Sequence, residues 1–393
     1  MATAAPGALP RTGSESDRIV GFDGVRALAA LMVVVYHAVF FASWFATPGG
    51  MFLWNLNAGV WIFFVTSGFL LYRPFVAAHL GARSGPGVGA YAIRRAARIY
   101  PAYWLAVAFF VWVVPRVVVD ASTGWWRHLL LVQTYVRSEA PFGPFGDGLP
   151  PAWSLVVEVT FYAFLPLYAA LIGAVGRRGR PVAVEWAGVL VLVGVGLAAT
   201  GVVARGDAAP WLTILPQHLP AFAAGIALAV ARTAAAGRSA ARVAAVGARS
   251  GAWWGAAFAV FVAIPLVLGV RPFVAPGAPR AFALDVMLTV FATCVVTPVA
   301  WAGGGPGRLG RLLRSRVAVG LGTVSYGIFL WHWFVLVTVQ DDWLGRPVGD
   351  AAWPVLLALA LPVVLVAATV SWFAVERPVL RLAHGLTRER RVR

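Results

Sequence analysis

The first apolar stretch of the chain carries three residues that a membrane helix rarely contains. Asp23, Arg26 and His37 stand within GFDGVRALAALMVVVYHAVFF, and a charged group at the bilayer centre costs about 2.5 kcal/mol or more on insertion scales. Arg26 and His37 are eleven positions apart. A helix therefore places them on one face, about 16 Å apart along its axis. A neutral imidazole can take a proton from a hydroxyl group, and a guanidinium can hold an anionic substrate or a developing oxyanion.

Asp23 lies three residues before Arg26 and shares its helix face, so the spacing favours a local ion pair. The alternative interpretation is structural. In that case Asp23 and Arg26 extend to the cytoplasmic interface, and His37 caps the outer end of the helix. A histidine deep in a helix and aligned with an arginine favours chemistry over anchoring.

A second candidate group is basic. Arg94, Arg95 and Arg98 stand in VGAYAIRRAARIYPAYW, and helical spacing places them on one side of a turn. Such a cluster at the cytoplasmic face binds either phospholipid headgroups or a ligand that carries phosphate. The residues alone leave both interpretations open.

Two further apolar segments carry isolated polar residues. In PPAWSLVVEVTFYAF, Ser154, Glu158 and Tyr162 follow one another at one-turn spacing. A glutamate at that depth is expected to face a cavity or a cationic partner. In FFVTSGFLL, Ser67 and Gly68 interrupt an aromatic run, where a glycine allows close helix packing or ligand approach.

Another candidate pair lies nearer the C-terminus. Ser325 and His332 are two turns apart in VSYGIFLWHWFVL, so they share a helix face. His332 stands between two tryptophans, a pattern that favours an interfacial anchor over a site residue.

The elements that must position these residues are membrane helices. The chain has 393 residues, is 60% hydrophobic and has only 12% charged residues, about half the charge of a soluble domain. We therefore predict an all-α polytopic membrane protein. Apolar runs long enough to cross the hydrocarbon layer recur ten times. They are expected near residues 20–43, 58–79, 102–120, 153–173, 184–204, 214–231, 252–270, 282–302, 317–339 and 353–374.

Arginine placement supports this count and sets the orientation. Every basic residue is Arg. With the N-terminus inside, the cytoplasmic segments hold 24 of the 32 arginines and the outer loops hold seven. This asymmetry follows the positive-inside rule. We predict that both termini are cytoplasmic, with a tail over 1–17, a membrane domain over 18–384 and a basic tail over 385–393.

Composition also limits the cofactors and partners. The net charge of +17 is explained by cytoplasmic loops, so no nucleic-acid partner is expected. Cys294 is the only cysteine, which argues against a disulfide framework or a cysteine metal site. We expect no metal, and we expect membrane lipids as surroundings.

Six segments in this order resemble the acyltransferase 3 family of bacterial membrane O-acyltransferases. They are FDGVRALAALMVVVYHA, FFVTSGFLL, RRAARIYPAYW, PPAWSLVVEVTFY, VSYGIFLWHW and VERP, and the resemblance extends from about Ile19 to Arg381. The family acylates sugars of cell-envelope glycans or secondary metabolites. The resemblance therefore implies transfer of an acyl group, most simply acetyl from acetyl-CoA, to a hydroxyl group.

The resemblance also implies roles for particular residues. Arg26 and His37 occupy the family's Arg-x10-His positions, which are required for activity there, and Arg95 and Arg98 occupy positions proposed to hold the acyl donor. The family's WSLxxExxFY motif is met in full, although its frequent second acid is replaced by Val159. The motif residues are Trp153, Ser154, Leu155, Glu158, Phe161 and Tyr162, and the FFxxSG motif is met by Phe63, Phe64, Ser67 and Gly68.

We therefore predict a membrane O-acyltransferase of the cytoplasmic membrane. Arg94, Arg95 and Arg98 would bind the phosphates of acyl-CoA. His37 would either act as the base on a carbohydrate or other hydroxyl-bearing acceptor, or carry the acyl group transiently. Arg26 would orient the donor or stabilise the developing oxyanion, and Glu158 would orient a catalytic group or bind hydroxyl groups of a sugar. The alternative is a transporter of a sugar or lipid-linked intermediate. A transporter would more often show internal repeats and paired broken helices, and the sequence shows neither.

Overall fold

The computed structural model is all-helical over the residues that it describes. These are 19, 21–82, 84–114, 124–135, 149–205, 214–236, 241, 245–246, 249–269, 277–305, 307–347 and 349–392. The predicted N-terminal tail over 1–17 lies outside the described residues. So do several arginines used in the charge count, among them Arg116, Arg137 and Arg271.

The α-helices are numbered here in chain order. They are α1 (Phe22–Phe41), α2 (Gly50–Trp54), α3 (Gly59–His79), α4 (Val88–Trp112), α5 (Trp126–Leu129), α6 (Trp153–Gly176), α7 (Pro181–Val203), α8 (Leu215–Ala236), α9 (Ser250–Leu268), α10 (Ala278–Ala302), α11 (Arg308–Leu313), α12 (Arg316–Thr323), α13 (Ser325–Thr338), α14 (Trp353–Ser371) and α15 (Arg377–Val392). Short 3₁₀ turns cover Trp44–Ala46, Asn55–Ala58, Gln133–Tyr135 and Pro150–Ala152, and π-helical turns cover Val339–Trp343 and Trp372–Glu376.

The membrane-spanning prediction is confirmed, with a lower count. Among the described residues, eight helices are long and apolar enough to span a membrane, or nine if the bent pair α12–α13 forms one span. The remaining expected span, 102–120, coincides with the second half of α4, and its last residues are not described. The three clustered arginines lie in the first half of the same 25-residue helix. The arginine segment and the third expected span are therefore one continuous element.

Helices α3 and α8 approach each other unusually closely through two glycines. A Cβ atom at Gly68 would clash with the carbonyl oxygen of Phe222 on α8, and one at Gly225 would clash with that of Val65 on α3. Membrane helices gain much of their association from such small-residue contacts, because lipid provides little hydrophobic driving force between helices. Gly68 is therefore a packing residue, in agreement with the structural interpretation of its motif.

The segment before α13 turns sharply. Helices α12 and α13 meet at an angle of 68°, so the expected span over 317–339 is bent. The hydroxyl of Ser315 caps α12 by accepting from the backbone N–H of Ala318 at 3.2 Å. Gly322 then packs directly on the backbone of Asp23, where any side chain would clash. This bend brings the start of α13 beside the start of α1.

The last span ends in a π-helical turn. Trp372–Glu376 follows α14 without interruption and leads into α15, which continues through the expected boundary between 384 and 385. A π turn rotates the following side chains relative to a regular helix and is frequent at functional sites. Here it directs Glu376 into the bundle, where only 2% of the residue is exposed.

The glycine contact between α3 and α8 predicts a stability effect. Gly68→Leu should lower the free energy of unfolding by about 3 kcal/mol or more, because the added side chain meets rigid backbone. The measurement is the midpoint of thermal unfolding of purified protein in detergent, followed by tryptophan fluorescence.

Gly194 provides a matched control within α7. A Cβ atom there meets nothing within 4 Å, so Gly194→Leu should leave stability unchanged or slightly raised, because leucine is the better helix former. Equal unfolding midpoints for the two variants would contradict the packing role of Gly68.

Candidate active site

A polar cavity of about 120 Å³ lies inside the helix bundle. It is enclosed by side chains from α1, α3, α4, α6 and α13, which the fold brings together from distant parts of the sequence. The predicted site residues in its wall are Arg26, Ser67, Arg95, Arg98, Ser154, Glu158, Tyr162 and Ser325. Eight of the fourteen residues selected from the sequence thus share one cavity. We call it the polar cavity.

Glu158 is held by two hydroxyl groups on its own and a neighbouring helix. Ser67 donates to Glu158 Oε1 at 2.9 Å, and Tyr162, one turn along α6, donates to the same oxygen at 2.5 Å. Both hydroxyl groups therefore donate to one carboxyl oxygen, which accepts from each of them. Glu158 also lines the polar cavity, which is one of the two surroundings expected for a glutamate at that depth.

Arg95 and Arg98 face the polar cavity from α4 and lie against aromatic rings. The guanidinium of Arg95 stands 5.8 Å from the ring centre of Tyr162, and that of Arg98 stands 5.6 Å from Tyr326. Such cation–π contacts stabilise a charge that has left water. Arg98 also forms an ion pair with Glu376, with 3.5 Å between Nη1 and Oε2. These contacts with aromatic rings and with Glu376 hold both guanidinium groups at the wall of the cavity.

Arg26 enters the polar cavity from the first turns of α1. Its charge interacts with those of Asp23, Glu158 and Arg98. The ion pair between Asp23 and Arg26 expected from their spacing stays a prediction. Ser154 and Ser325 each donate a hydrogen bond to the backbone carbonyl three residues earlier in the chain, those of Pro151 and Gly322.

His37 and His332 form a second cluster, outside the residues that line the polar cavity. His332 Nε2 lies 3.0 Å from His37 Nδ1, and the rings of Tyr36 and Trp333 pack edge-on against His37. His332 is fully buried, so the interpretation of it as an interfacial anchor is wrong. The bend between α12 and α13 brings α13 inside the bundle, which turned this histidine inward.

The hydrogen bonds decide which ring nitrogens carry protons. His332 Nδ1 lies 2.7 Å from the carbonyl of Phe329, and His37 Nδ1 lies 2.9 Å from the carbonyl of Val33. A carbonyl only accepts, so both Nδ1 atoms carry hydrogen. The single hydrogen on His37 Nδ1 is then shared between the carbonyl of Val33 and His332 Nε2, and His37 Nε2 keeps its lone pair in the neutral ring. His37 is thus held in the tautomer that a general base requires.

Phe329 connects the two clusters. It lines the polar cavity, and its ring centre stands 5.8 Å from that of His332. Arg26 and His37 lie about 16 Å apart along α1, and side chains on a helix lean toward its N-terminus. Both side chains lean the same way, so their separation stays close to that along the axis, and a single carbonyl group cannot touch both.

Four selected residues lie elsewhere. Gly68 packs against α8, as described above. Trp153 packs against Phe64 and His218, with ring centres 6.4 and 5.4 Å apart. Asp23 and Arg94 do not line the polar cavity, although each has its own partners. The arginine cluster is therefore divided by the helix surface, with Arg95 and Arg98 turned inward.

Sequence reasoning missed two residues that shape the polar cavity. Tyr326 lines it and donates to the carbonyl of Ile99 at 2.8 Å, which ties α13 to α4. Glu376 does not line the polar cavity, but forms an ion pair with Arg98, which does. In the sequence, Glu376 is recognisable only as a carboxylate directly after an apolar span. Its inward direction results from the π turn, which the sequence does not predict.

A separate buried cluster was also missed. Glu185 on α7 is fully buried and accepts from the hydroxyl of Tyr72 and from Nδ1 of His79, both at 2.6 Å. These groups line or adjoin a cavity of about 610 Å³ near the α6–α7 turn. An isolated glutamate at the start of an apolar span was the signal in the sequence.

The comparison with known families agrees with this architecture. Residues 19–374 match the family model Acyl_transf_3, described as an acyltransferase domain. The chain belongs to the acyltransferase 3 family. The resemblance stated from the sequence motifs is confirmed, as is the enzyme class of an acyltransferase that transfers groups other than aminoacyl groups.

Two relatives of this chain have names that describe acyl transfer. The protein named "Putative peptidoglycan O-acetyltransferase YrhL" of Bacillus subtilis (strain 168) is 27% identical over 380 residues, covering 92% of this chain and 55% of that protein. "Acyltransferase MdmB" of Streptomyces mycarofaciens is 27% identical over 396 residues, covering 93% of this chain and 92% of that protein. The chain thus spans about half the length of the first relative. No solved structure matches the chain.

The Arg98–Glu376 pair predicts a stability effect that is specific to charge. Glu376→Ala should lower the free energy of unfolding by about 3 kcal/mol, because it leaves a guanidinium in the bundle without its carboxylate. Thermal unfolding of the purified variant measures this loss.

The double variant Arg98→Met with Glu376→Leu serves as the control. Replacing both charges by apolar side chains of similar length should recover most of the loss. A double variant that is as unstable as Glu376→Ala would show that packing, and not the ion pair, is responsible.

Proposed function

We propose that this protein is a multi-pass O-acyltransferase of the cytoplasmic membrane. It would transfer an acyl group, most simply acetyl, from acyl-CoA to a hydroxyl group of a carbohydrate, cell-envelope glycan or secondary metabolite. One observation carries the proposal: a polar cavity lined by three arginines lies beside a hydrogen-bonded pair of histidines, His37 and His332. The family match and the names of both relatives support acyl transfer.

The donor is assigned to the arginine side. Arg95 and Arg98 would contact anionic groups of acyl-CoA, since guanidinium groups form paired, charge-assisted hydrogen bonds with phosphate. Arg26 would act on the same side, because its distance from His37 excludes a shared contact with one carbonyl. With both termini in the cytoplasm, as the arginine distribution predicts, this donor side faces the cytoplasm.

The acceptor is assigned to the histidine side. His37 Nε2 would take the proton of the acceptor hydroxyl group while the oxygen of that hydroxyl group attacks the thioester carbonyl. The carbon–sulfur bond of the tetrahedral intermediate then breaks, and the leaving CoA thiolate takes the proton from His37. His332 would hold the His37 ring in position through the 3.0 Å hydrogen bond. The acyl group must pass Phe329 to reach His37, so the side chain of Phe329 would move during turnover.

Glu158 is the rival base, since it too faces the polar cavity. Its Oε1 already accepts hydrogen bonds from the hydroxyl groups of Ser67 and Tyr162, so this carboxyl group is engaged in holding neighbouring side chains. We therefore assign Glu158 to organising Ser67, Tyr162 and the arginines. The His37 and Glu158 variants distinguish the two assignments.

Removing the imidazole tests the proposed base. His37→Ala should lower kcat for transfer of a radiolabelled acetyl group from acetyl-CoA by about 10²–10⁴-fold, the usual contribution of base catalysis. The donor KM should change little, because His37 lies away from the arginines. His384→Ala is the control, since that side chain is exposed on α15, and it should retain full activity.

Other outcomes favour other assignments. Wild-type kcat in His37→Ala would refute His37 as the base, and loss of kcat only in Glu158→Gln would give that role to the glutamate. If proteoliposomes move a sugar or lipid-linked compound without acylating it, the protein is a transporter.

The donor assignment has its own test. Arg95→Ala should raise the donor KM about tenfold or more while kcat falls less, because it removes a charge-assisted contact worth about 1.5–3 kcal/mol. Arg178→Ala is the matched control, since Arg178 is exposed near the α6–α7 turn. Binding of acetyl-CoA measured by isothermal titration gives an independent value. Unchanged donor affinity in Arg95→Ala would remove its assignment.

A further inference from the structure

His37 opens to a space other than the polar cavity. The residue is partly exposed, yet it does not belong to the wall of the polar cavity. The surface that His37 exposes is therefore separate from the arginine side. Since a general base must touch the hydroxyl group that it deprotonates, the acceptor reaches His37 through this second space.

Aromatic rings border His37. The rings of Tyr36 and Trp333 meet its imidazole edge-on, with centres 4.7 and 5.0 Å away. Behind them, Trp54 stands 4.9 Å from Tyr36, and Phe40 stands 5.9 Å from Trp333. All four aromatic residues are partly exposed. We call Tyr36, Phe40, Trp54 and Trp333 the aromatic cup.

A tightly folded loop holds Trp54 in the aromatic cup. Trp54 is the last residue of α2, which lies in the loop between α1 and α3. The hydroxyl of Thr47 donates to the carbonyl of Trp44 at 2.8 Å and accepts from the N–H of Gly50 at 3.0 Å. A Cβ atom at Gly50 would clash with the backbone of Trp44, so this close approach requires glycine. Trp54 is therefore a fixed wall beside α1.

The chemistry of the aromatic cup indicates an uncharged ligand with both apolar and polar surface. None of its four side chains is charged, and its rings offer apolar faces. The hydroxyl of Tyr36 and the indole N–H groups of Trp54 and Trp333 add hydrogen-bond donors at the ring edges. A pyranose ring matches this pattern, because its C–H groups form apolar faces and its hydroxyl groups surround the rim.

We propose that the aromatic cup is the acceptor subsite and binds an uncharged pyranose ring, with one ring hydroxyl group directed at His37 Nε2. This inference rests on the proposed acyl transfer and selects a sugar among the acceptors considered there. With the N-terminus in the cytoplasm, as the arginine distribution predicts, His37 lies toward the outer side. The sugar therefore enters from the side opposite to the donor.

A bilayer lipid is the competing occupant. Tryptophan and tyrosine are common at membrane interfaces, where they contact lipid headgroups independently of any site. Two rings of the aromatic cup instead touch the proposed base itself, and a lipid lying there would cover it. If the rings were only interfacial anchors, an exposed tryptophan elsewhere at the outer end would matter as much as Trp54.

A panel of acceptors tests the ligand class. Purified protein in detergent receives radiolabelled acetyl-CoA with the methyl pyranosides of glucose, galactose, rhamnose or N-acetylglucosamine. At least one of these neutral sugars should be acetylated. Methyl glucuronide, which is the glucoside with a carboxylate, should be a poorer acceptor than methyl glucoside, and 1,2-hexanediol, which has no ring, should be poorer than the sugars.

Trp54→Ala tests the wall of the aromatic cup with the best pyranoside of the panel. It should raise the acceptor KM about tenfold, which corresponds to about 1.4 kcal/mol, while the donor KM stays unchanged. Trp54→Phe should recover part of the loss, because it restores a ring. Trp343→Ala is the matched control, since Trp343 is 58% exposed just after α13 and lies outside the aromatic cup, and it should leave both KM values unchanged.

Tyr36→Phe is a milder variant that keeps the ring and removes only its hydroxyl group. It should raise the acceptor KM about fivefold, as expected for one lost hydrogen bond, and leave the donor KM unchanged. This variant tests the inference even if Trp54→Ala fails to fold.

Several results would overturn the inference. Unchanged acceptor KM in Trp54→Ala and Tyr36→Phe, or an equal rise in Trp343→Ala, would show that the rings are interfacial anchors. Acetylation of 1,2-hexanediol but of no pyranoside would overturn the sugar subsite and leave the proposed acyl transfer intact. Absence of transfer to every member of the panel would overturn both.

Discussion

The burial of charge within an apolar helix bundle is the constraint on which the site depends. Arg26, Arg95 and Arg98 line a cavity inside the bundle together with Glu158, and Glu376 forms an ion pair with Arg98. Each charge would be costly in such surroundings without a partner. The need to pair them determines which faces of α1, α4 and α6 turn inward, and it requires the π turn that brings Glu376 to Arg98. The aromatic rings against Arg95 and Arg98 complete the compensation without filling the cavity.

This arrangement divides the interior into two parts with different chemistry. The polar cavity contains fixed positive charge and suits an anionic donor, whereas the His37–His332 pair is neutral and surrounded by aromatic rings. Phe329 lies between them. A membrane enzyme that takes its donor from one side and its acceptor from another needs such a division, because water that reached the thioester would compete with the acceptor. The separation is set by the length of α1.

Much of the fold and part of the site follow from the sequence. Nine of the ten expected spans correspond to described helices, one of them bent, because long apolar runs allow few alternatives in a membrane. The α4 helix departed from expectation, since its arginines pair with groups from other helices instead of ending the element. His332 was misinterpreted for a similar reason. A histidine between two tryptophans is typical of an interface, and the bend of 68° that buries it depends on packing between α12 and α1.

The sequence by itself determined the membrane class, the family and the identity of the charged residues, because hydropathy, charge asymmetry and ordered motifs are local properties of the chain. Only the tertiary structure decided which of those residues meet. It placed Arg95 and Arg98 in the cavity and left Arg94 outside it, paired Glu376 with Arg98, and joined His37 to His332 across 295 positions. It also placed Arg26 in the wall of the polar cavity and His37, on the same helix face, in a separate cluster with His332. Helical spacing gives the direction of a side chain from its axis, whereas its partner is decided by how the other helices pack around it.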